Sequence, residues 1–354
     1  MIRTLEVSRS NLGTTRIVEA PVPELAEGET LLAVRRFALT ANNVTYAVFG
    51  DMLAYWSLFP AEDGWGRVPV WGFAEVVASR MPGVEVGQRL YGYLPMASHL
   101  VIEPTRVTAR SLDDGAAHRQ GVAVTYNRYQ LVTEADADTE ARTALLKPLF
   151  ITGWLLDDWI ASDEGFDGVR HVIASSASSK TALSMAASLT ARGGFKVTGL
   201  TSIRSAGFTL ATGYYDQIVT YDDIGAIPVD RAIYVDFAGD PAVTAAVHAR
   251  FGDALVKSVM VGGAHWDADR SNPPALPGPK PDWFFAPTHV GRLGDSWGGA
   301  KFTAVTDEAL AGFVAGSKNW LHVSQPTGLE EAALIWDRLL RNDVRPSEGL
   351  CVQV

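Results

Sequence analysis

Residues 170–202 read RHVIASSASSKTALSMAASLTARGGFKVTGLTS. In this stretch a short apolar run, a polar loop, an apolar helical segment and a second apolar run follow one another, which predicts a βαβ unit. The loop opens onto the N-terminus of the helix, where free backbone amides and the positive end of the helix dipole favour an anion. The sequence therefore predicts an anion-binding turn between the first strand and the helix.

Size and composition describe a globular chain. Its 354 residues are enough for two domains, with 47% apolar residues, 20% charged residues and a net charge of −10. The acidic balance argues against nucleic acid or an anionic membrane surface as the partner. The first seven residues lack the apolar core of a signal peptide, and apolar runs stay well short of the ~20 residues of a membrane span. We therefore expect a cytoplasmic protein.

Short strands with glycine turns dominate residues 1–107 and predict a compact, barrel-like β domain. Within them, residues 51–68 are rich in aromatic side chains: Tyr55, Trp56, Phe59 and Trp65. Rigid rings bury large areas at a small entropic cost, so this segment is either a cover packed on a core or the wall of a substrate pocket. The sequence leaves both interpretations open.

Three segments resemble, in order and spacing, the GroES-like catalytic domain of the medium-chain dehydrogenase/reductase superfamily, on its quinone-oxidoreductase side. They are Gly28-Glu29-x-Leu31-Leu32-x-Val34, Asn42-Asn43-x-Thr45-Tyr46 and Val86-Gly87-Gln88-Arg89-Leu90-Tyr91-Gly92. Residues 146–154, 213–221, 328–337 and 350–353 continue the resemblance. Because the motifs are degraded, we expect a divergent branch that is described only as a domain of unknown function.

The resemblance implies an α/β fold, with a Rossmann-type doubly wound parallel sheet domain and a GroES-like β-barrel domain. The GroES-like domain is expected in residues 1–140 and 290–354, and the dinucleotide-binding domain in residues 141–289. A small-molecule substrate is implied, and a homodimer is left open.

The turn departs from the usual dinucleotide fingerprint G-x-G-x-x-G, whose glycines let the backbone approach the pyrophosphate. Where the resemblance expects glycines, this chain has Ser175, Ser178, Ser179 and Thr181. Small hydroxyls can donate hydrogen bonds to phosphate, so these residues and Lys180 are predicted to hold the pyrophosphate. The alternative is an ordinary serine N-cap of an ordinary helix. A phosphate loop of the nucleoside-triphosphatase type is excluded, since it needs glycine where Ala174 and Ser179 stand.

The end of the second strand indicates which dinucleotide is bound. NAD-binding folds place a carboxylate there for the ribose 2′-hydroxyl, whereas this chain has Thr201, Ser202 and Arg204 without an acid. An arginine with two hydroxyls attracts a 2′-phosphate, so the prediction is NADP(H). The resemblance adds Tyr221, which matches a family tyrosine near the same phosphate. The alternative is that Arg204 is a solvated loop cation.

Metal is not expected. The zinc-dependent members of the superfamily use a G-H-E segment and cysteines, whereas this chain reads Gly72-Phe73-Ala74-Glu75 and has Cys351 as its single cysteine. Its seven histidines show no ligand spacing.

Tyrosines are the acid–base candidates, because without zinc the substrate needs hydrogen-bond donors or a nearby acid. The resemblance places Tyr46 and Tyr55 near the nicotinamide with Asn42, and it matches Thr152 to a threonine at the same ring. Each tyrosine could instead be packed in a core, and Thr152 could be bonded back to its own helix. The predicted substrate-pocket lining is Trp56, Trp65, Phe284 and Phe285.

These expectations describe a zinc-independent, NADPH-dependent oxidoreductase that transfers hydride to an enone, a quinone or an enoyl thioester. The missing glycines favour an alternative, a catalytically inactive reductase-like fold that serves as a nucleotide- or anion-binding or interaction protein. The serine-rich loop could also take a different anion, such as a phosphorylated acyl carrier.

Overall fold

The computed structural model describes residues 1–133, 135–162, 165–261 and 276–354. The strands are β1 (Ile2–Ser8), β2 (Thr15–Ala20), β3 (Thr30–Leu39), β4 (Trp65–Gly66), β5 (Pro69–Ser79), β6 (Arg89–Pro95), β7 (His99–Ile102), β8 (Pro104–Thr105), β9 (Ser111–Asp114), β10 (Arg128–Val132), β11 (His171–Ala174), β12 (Lys196–Thr201), β13 (Gln217–Thr220), β14 (Ala232–Asp236), β15 (Leu255–Met260), β16 (Asp282–Trp283), β17 (His322–Ser324) and β18 (Glu348–Gln353). The helices are α1 (Ala41–Val48), α2 (Val124–Asn127), α3 (Ala137–Ala161), α4 (Lys180–Arg192), α5 (Ile203–Ala211), α6 (Pro241–Phe251), α7 (Ala286–Trp297), α8 (Gly299–Ser317) and α9 (Leu329–Leu340).

The described residues divide into two compact units. The first unit is Met1–Leu145 with His322–Val354, and the second is Leu146–Leu321. The second unit thus includes residues 290–321, which the sequence had assigned to the GroES-like domain, and the boundary expected at 289 is corrected to 321. Aromatic packing explains the difference: Phe313 of α8 lies 5.3 Å from Phe150 of α3, and Phe302 lies 6.1 Å from Trp154, between ring centroids.

The second unit is built on a parallel sheet. Within the described residues its six strands lie in the order β13-β12-β11-β14-β15-β16, and each neighbouring pair is parallel. Numbered within the unit this is the order 3-2-1-4-5-6, the doubly wound Rossmann order. The predicted βαβ unit is therefore confirmed, as β11-α4-β12. In such sheets ligands bind beyond the carboxyl ends of the strands, where the chain crosses from one half of the sheet to the other.

The first unit is mainly antiparallel. Its described strands form a three-stranded sheet, β2-β1-β4, and a nine-stranded sheet in the order β17-β18-β3-β5-β6-β10-β9-β8, with β7 also paired to β3. Close contact between β3 and β5 requires Gly72, because a Cβ there would lie 2.2 Å from the Arg36 carbonyl oxygen. A core of aliphatic side chains from these strands closes on Trp336 of α9, which is fully buried.

None of the helices in the described ranges combines the length and the hydropathy that a membrane crossing requires.

Candidate functional site

Ser175 is the first residue of the predicted anion-binding turn. Its side chain is fully hydrogen-bonded to other groups of the protein. Its hydroxyl donates to Asp236 Oδ1 at 2.6 Å and accepts from the amides of Phe237 at 2.9 Å and Ala238 at 3.0 Å. A serine hydroxyl has one proton to donate and two lone pairs that accept, so all its positions are occupied. This corrects the prediction that the Ser175 side chain holds the pyrophosphate.

Asp236, at the end of β14, is the residue that the sequence reasoning missed at this turn. Its buried carboxylate also accepts from the amides of Ala238 and Gly239, both at 3.0 Å, and from Thr244 Oγ1 at 2.9 Å. Because β11 and β14 are parallel neighbours, the contact between Ser175 and Asp236 ties together the two loops at the ligand-binding edge of the sheet. We call this pair of residues the serine–aspartate latch.

Ser176 has a backbone conformation that glycine usually adopts. Its φ of +47° lies in the left-handed region, which is costly for a residue with a Cβ. Its amide donates to the Tyr221 hydroxyl oxygen at 3.1 Å. The Tyr221 hydroxyl is the acceptor in this bond, so the bond does not use its proton, which can be donated to an anion. Burial is the main cause that raises the pKa of Tyr221, and the Ser176 amide acts against it.

The remaining residues of the turn lie at the N-terminus of α4. Ser179 is the N-cap, and its hydroxyl accepts from the Ala182 amide at 3.3 Å, as the capping alternative predicted. Ser178, Lys180 and Thr181 are half-buried. The positive end of the α4 dipole and these side chains together suit an anion.

The end of β12 lies beside this turn. The amide of Ala177 donates to the Leu200 carbonyl at 2.9 Å, which brings Ser178 Oγ to 3.5 Å from the buried Thr201 Oγ1. Ser202 is the N-cap residue of α5, with its hydroxyl 3.4 Å from that of Ser205. Arg204 follows in the first turn of α5; it is exposed and has no ion-pair partner in the part of the chain that the structure describes. The predicted 2′-phosphate residues Thr201, Ser202 and Arg204 therefore follow one another at one corner of the sheet.

Thr152 lies in α3, where its hydroxyl donates to the Pro148 carbonyl at 3.4 Å. This is the back-bond to the helix that the alternative interpretation predicted. The bond is long, and its acceptor Pro148 lies inside the same helix.

A second group of functional side chains lies in the first unit. Asn42 and Tyr46 stand one turn apart on α1, and the Asn42 Nδ2 donates to the Tyr46 hydroxyl at 2.6 Å. The Trp71 Nε1 of β5 donates to the same oxygen at 3.4 Å. The hydroxyls of Tyr55 and Tyr126 lie 3.0 Å apart. The structure thus brings the predicted Asn42, Tyr46 and Tyr55 together.

The ring contacts define a tyrosine cluster, consisting of Tyr46, Tyr55, Tyr93 and Tyr126. Ring centroids are 4.8 Å apart for Tyr46 and Tyr55, and 4.9 Å apart for Tyr93 and Tyr126. Sequence reasoning missed Tyr93, Tyr126 and Trp71. Trp71 and Tyr93 are cross-strand partners in β5 and β6, so strand pairing could have signalled that pair.

Burial sets the chemistry of the cluster. It raises the pKa of both Tyr46 and Tyr55, because a buried phenolate loses its hydration. Both hydroxyls therefore stay protonated at neutral pH and act as hydrogen-bond donors or acids.

Arg119 supports the tyrosine cluster through an ion pair and hydrogen bonds. It is fully buried, pairs with Asp114 at 3.1 Å, and its Nη2 donates to the Tyr126 carbonyl at 2.6 Å. Its Nη1 also donates to the Tyr129 hydroxyl at 3.2 Å. These bonds fix the backbone of α2, the short helix that carries Tyr126.

The four predicted pocket residues are divided between the two units. Trp56 belongs to the core, where its ring lies so close to Gly50 and Gly66 that a Cβ at either would overlap it, at 2.1 and 2.5 Å. Trp65 lies in β4 under the Arg16 guanidinium, 4.1 Å from its ring centroid. In the second unit, Phe284 is buried and Phe285 is half exposed. The cover interpretation thus holds for Trp56, because the two glycines make room for the indole ring.

Metal-ligating side chains are not grouped in threes anywhere in the ranges that the structure describes.

The chain thus combines a parallel sheet of Rossmann strand order, in the second unit, with the mainly antiparallel sheets of the first unit. Residues 37–345 match the model of the family described as protein of unknown function (DUF2855), and the chain belongs to that family. The expected Rossmann-type α/β fold is confirmed, and so is the expectation that the family is described only as one of unknown function.

Solved structures show the same fold at low identity. CurA from Vibrio vulnificus in complex with NADPH matches with a TM-score of 0.66 at 14% identity, covering 99% of each chain. A putative NADPH:quinone reductase from Mesorhizobium loti matches with a TM-score of 0.64 at 11% identity, covering 100% of this chain and 98% of that chain. Mycobacterial Rv1454c complexed with NADPH matches with a TM-score of 0.58 at 14% identity, covering 100% of both. No curated protein matches the sequence.

Proposed function

We propose that this protein is a zinc-independent, NADPH-dependent reductase that transfers hydride to an enone, a quinone or an enoyl thioester. The observation that carries the proposal is the corner at the end of β12, where Thr201, Ser202 and the exposed Arg204 follow one another without a carboxylate. An acid there would repel a 2′-phosphate, whereas this donor set attracts one. Similarity to folds solved with NADPH supports the same cofactor.

In the second unit, one group of residues binds the diphosphate of the cofactor and another binds its 2′-phosphate. The first-turn amides of α4 with Ser178, Ser179, Lys180 and Thr181 hold the diphosphate. The side chains that hold the 2′-phosphate are Thr201, Ser202, Arg204 and Tyr221. Ser175 acts through the latch, by fixing the loop that carries these groups.

The chemistry needs a donor to the substrate carbonyl as well as the hydride that NADPH supplies when bound. In this proposal the donor comes from Asn42, Tyr46 and Tyr55. The Asn42 amide and the protonated hydroxyls of the two tyrosines polarise the carbonyl oxygen. The cluster is buried, which excludes water and strengthens these interactions.

A specific observation favours the alternative, an inactive reductase-like fold that binds an anion. The Ser175 hydroxyl and the Ser176 amide, which would approach a diphosphate in a glycine-rich turn, are both used inside the protein. Under this alternative the chain binds NADPH or another phosphate compound without turnover.

Titration calorimetry with NADPH and NADH tests the cofactor assignment. We expect NADPH to bind more tightly than NADH, and Arg204→Gln to weaken NADPH by about 10- to 100-fold, the value of a lost charged hydrogen bond, while leaving NADH unchanged. Arg341→Gln, which removes an exposed arginine of the first unit paired with Asp337, is the matched control and is expected to change neither affinity. Equal affinity for the two dinucleotides, or an equal effect of the two variants, would refute the assignment.

A further inference from the structure

A cleft in the first unit lies between strand β17 and helix α9. It encloses a volume of about 540 Å³, and all of its lining residues belong to that unit. Ser324 of β17 and Leu334 of α9 belong to its walls, and the buried Ile335 and Leu350 form an apolar floor. The proposed function uses none of these residues, so the cleft has no role in the chemistry described above.

The strand β17 presents an outer edge of backbone groups beside this cleft. Among the described strands β17 ends the nine-stranded sheet, with β18 as its parallel neighbour. The amide of His322 and the carbonyl of Pro326 both bond to the β18 side, at 2.8 Å. Backbone direction alternates along a strand, so the N–H and C=O groups of Val323 and Gln325 face away from β18. An edge of this kind is a template for pairing with another strand.

The two ends of the cleft carry different charged groups. Because α9 joins the parallel strands β17 and β18, it runs opposite to both. Glu331, in the first turn of α9, therefore lies at the carboxyl end of β17. Arg338, in the last turn, lies at the amino end, where its Nη2 donates to Glu348 Oε2 at 3.0 Å. The described bonds of Arg338 use two of its five N–H groups, so it can also bind an acid.

Leu334 stands between these charges on the same face of α9, three residues after Glu331 and four before Arg338. Its side chain is 60% exposed, although the floor beside it is apolar and buried. An apolar group laid in the cleft would remove this leucine from water, which is favourable. The cleft thus offers an acid, an apolar surface and a base along about 10 Å of the helix.

We propose that this cleft binds an extended peptide segment of a partner protein, which pairs antiparallel with β17 and carries a basic, an apolar and an acidic side chain at alternate positions. Main-chain bonds to Val323 and Gln325 supply affinity, and the side chains supply specificity. Alternate side chains of a strand point the same way, about 6.8 Å apart, so the three reach Glu331, Leu334 and Arg338 in turn. Antiparallel pairing places the basic residue first, because the peptide then begins at the carboxyl end of β17. The inference goes beyond the proposed function and needs neither cofactor nor turnover.

Fluorescence anisotropy with a labelled peptide, Thr-Lys-Thr-Leu-Thr-Glu-Thr with blocked ends, tests the site on the full-length protein. We expect saturable binding, and Leu334→Gln should weaken it by about tenfold or more, the value of a lost apolar contact. An exposed leucine tolerates this change without loss of the fold. Leu210→Gln is the matched control, since Leu210 is 64% exposed on α5 of the second unit, and it should leave the affinity unchanged.

A charge exchange tests the orientation. Glu331→Lys should weaken the same peptide by about fivefold, the upper range for an exposed ion pair. A second peptide, Thr-Glu-Thr-Leu-Thr-Glu-Thr, should bind the Glu331→Lys variant more tightly than it binds the wild-type protein. Hydrogen exchange followed by mass spectrometry tests the strand pairing, because the amides of residues 320–328 should exchange more slowly when the first peptide is bound.

Each result bears on one part of the inference. Wild-type protein that shows no saturable binding of the first peptide overturns the whole of it. Binding that is unchanged in Leu334→Gln, or equally weakened in Leu210→Gln, overturns the cleft as the site. A second peptide that does not prefer Glu331→Lys overturns the charge assignment, and unchanged exchange in residues 320–328 overturns the pairing with β17.

Discussion

Replacing Ser175 by alanine tests the serine–aspartate latch. The change removes one hydrogen bond to a buried carboxylate, of about 1.5–3 kcal/mol, and leaves the Phe237 amide buried without its acceptor, at about 1–3 kcal/mol. The Ala238 and Gly239 amides still bind Asp236, which offsets part of the loss. We therefore expect the free energy of unfolding to fall by about 3 kcal/mol.

Urea denaturation followed by circular dichroism measures this change, and hydrogen exchange locates it. The Phe237 amide should exchange faster in Ser175→Ala than in the wild-type protein. Ser178→Ala is the matched control on the same loop, because the Ser178 hydroxyl makes a long, half-buried bond of 3.5 Å to Thr201 Oγ1. Its expected cost is about 0.5 kcal/mol. Equal costs for the two variants would refute the latch. A stable Ser175→Ala that loses NADPH affinity would show instead that Ser175 is a phosphate ligand.

Three further predictions concern stability and reactivity. Ser176→Gly should stabilise the protein by about 1 kcal/mol in thermal unfolding, since glycine tolerates the left-handed backbone; a lower Tm would contradict this. Arg119→Met should cost about 3–5 kcal/mol, because it leaves the buried Asp114 carboxylate unpaired, whereas Arg128→Met at a half-exposed pair should cost at most about 1 kcal/mol; similar midpoints in urea would count against it. Burial raises the pKa of Cys351 to about 12, so its thiol should resist an aromatic disulfide reagent at about pH 8 and react only on unfolding; rapid labelling of the native protein would disprove this.

Local patterns were enough to predict the βαβ unit of the second unit's sheet, and long-range pairing explains what they missed. The alternation of apolar runs around residues 170–202 indicates β11, α4 and β12, and the serine before α4 is indeed its N-cap. The role of Ser175 was not predictable in this way, because its partner Asp236 comes 61 residues later and reaches it only through the pairing of β11 with β14.

The tyrosine cluster shows the same limit. Asn42 and Tyr46 share a helix face, so the sequence could associate them. Tyr126 follows Tyr55 by 71 residues in the chain, so local patterns could not associate the two. Arg119, which binds the Tyr126 carbonyl, belongs to no recognisable sequence motif. The core position of Trp56 was not predictable, because the glycines that make room for its ring lie on either side of it in the chain, without a periodic pattern.

The most direct test of the account is the loss of NADPH absorbance in the presence of wild-type protein and a panel of enones, quinones and enoyl thioesters. We expect at least one member of the panel to be reduced, and NADH to replace NADPH poorly. Tight NADPH binding with every panel compound left unreduced would contradict it and would favour the inactive, anion-binding alternative.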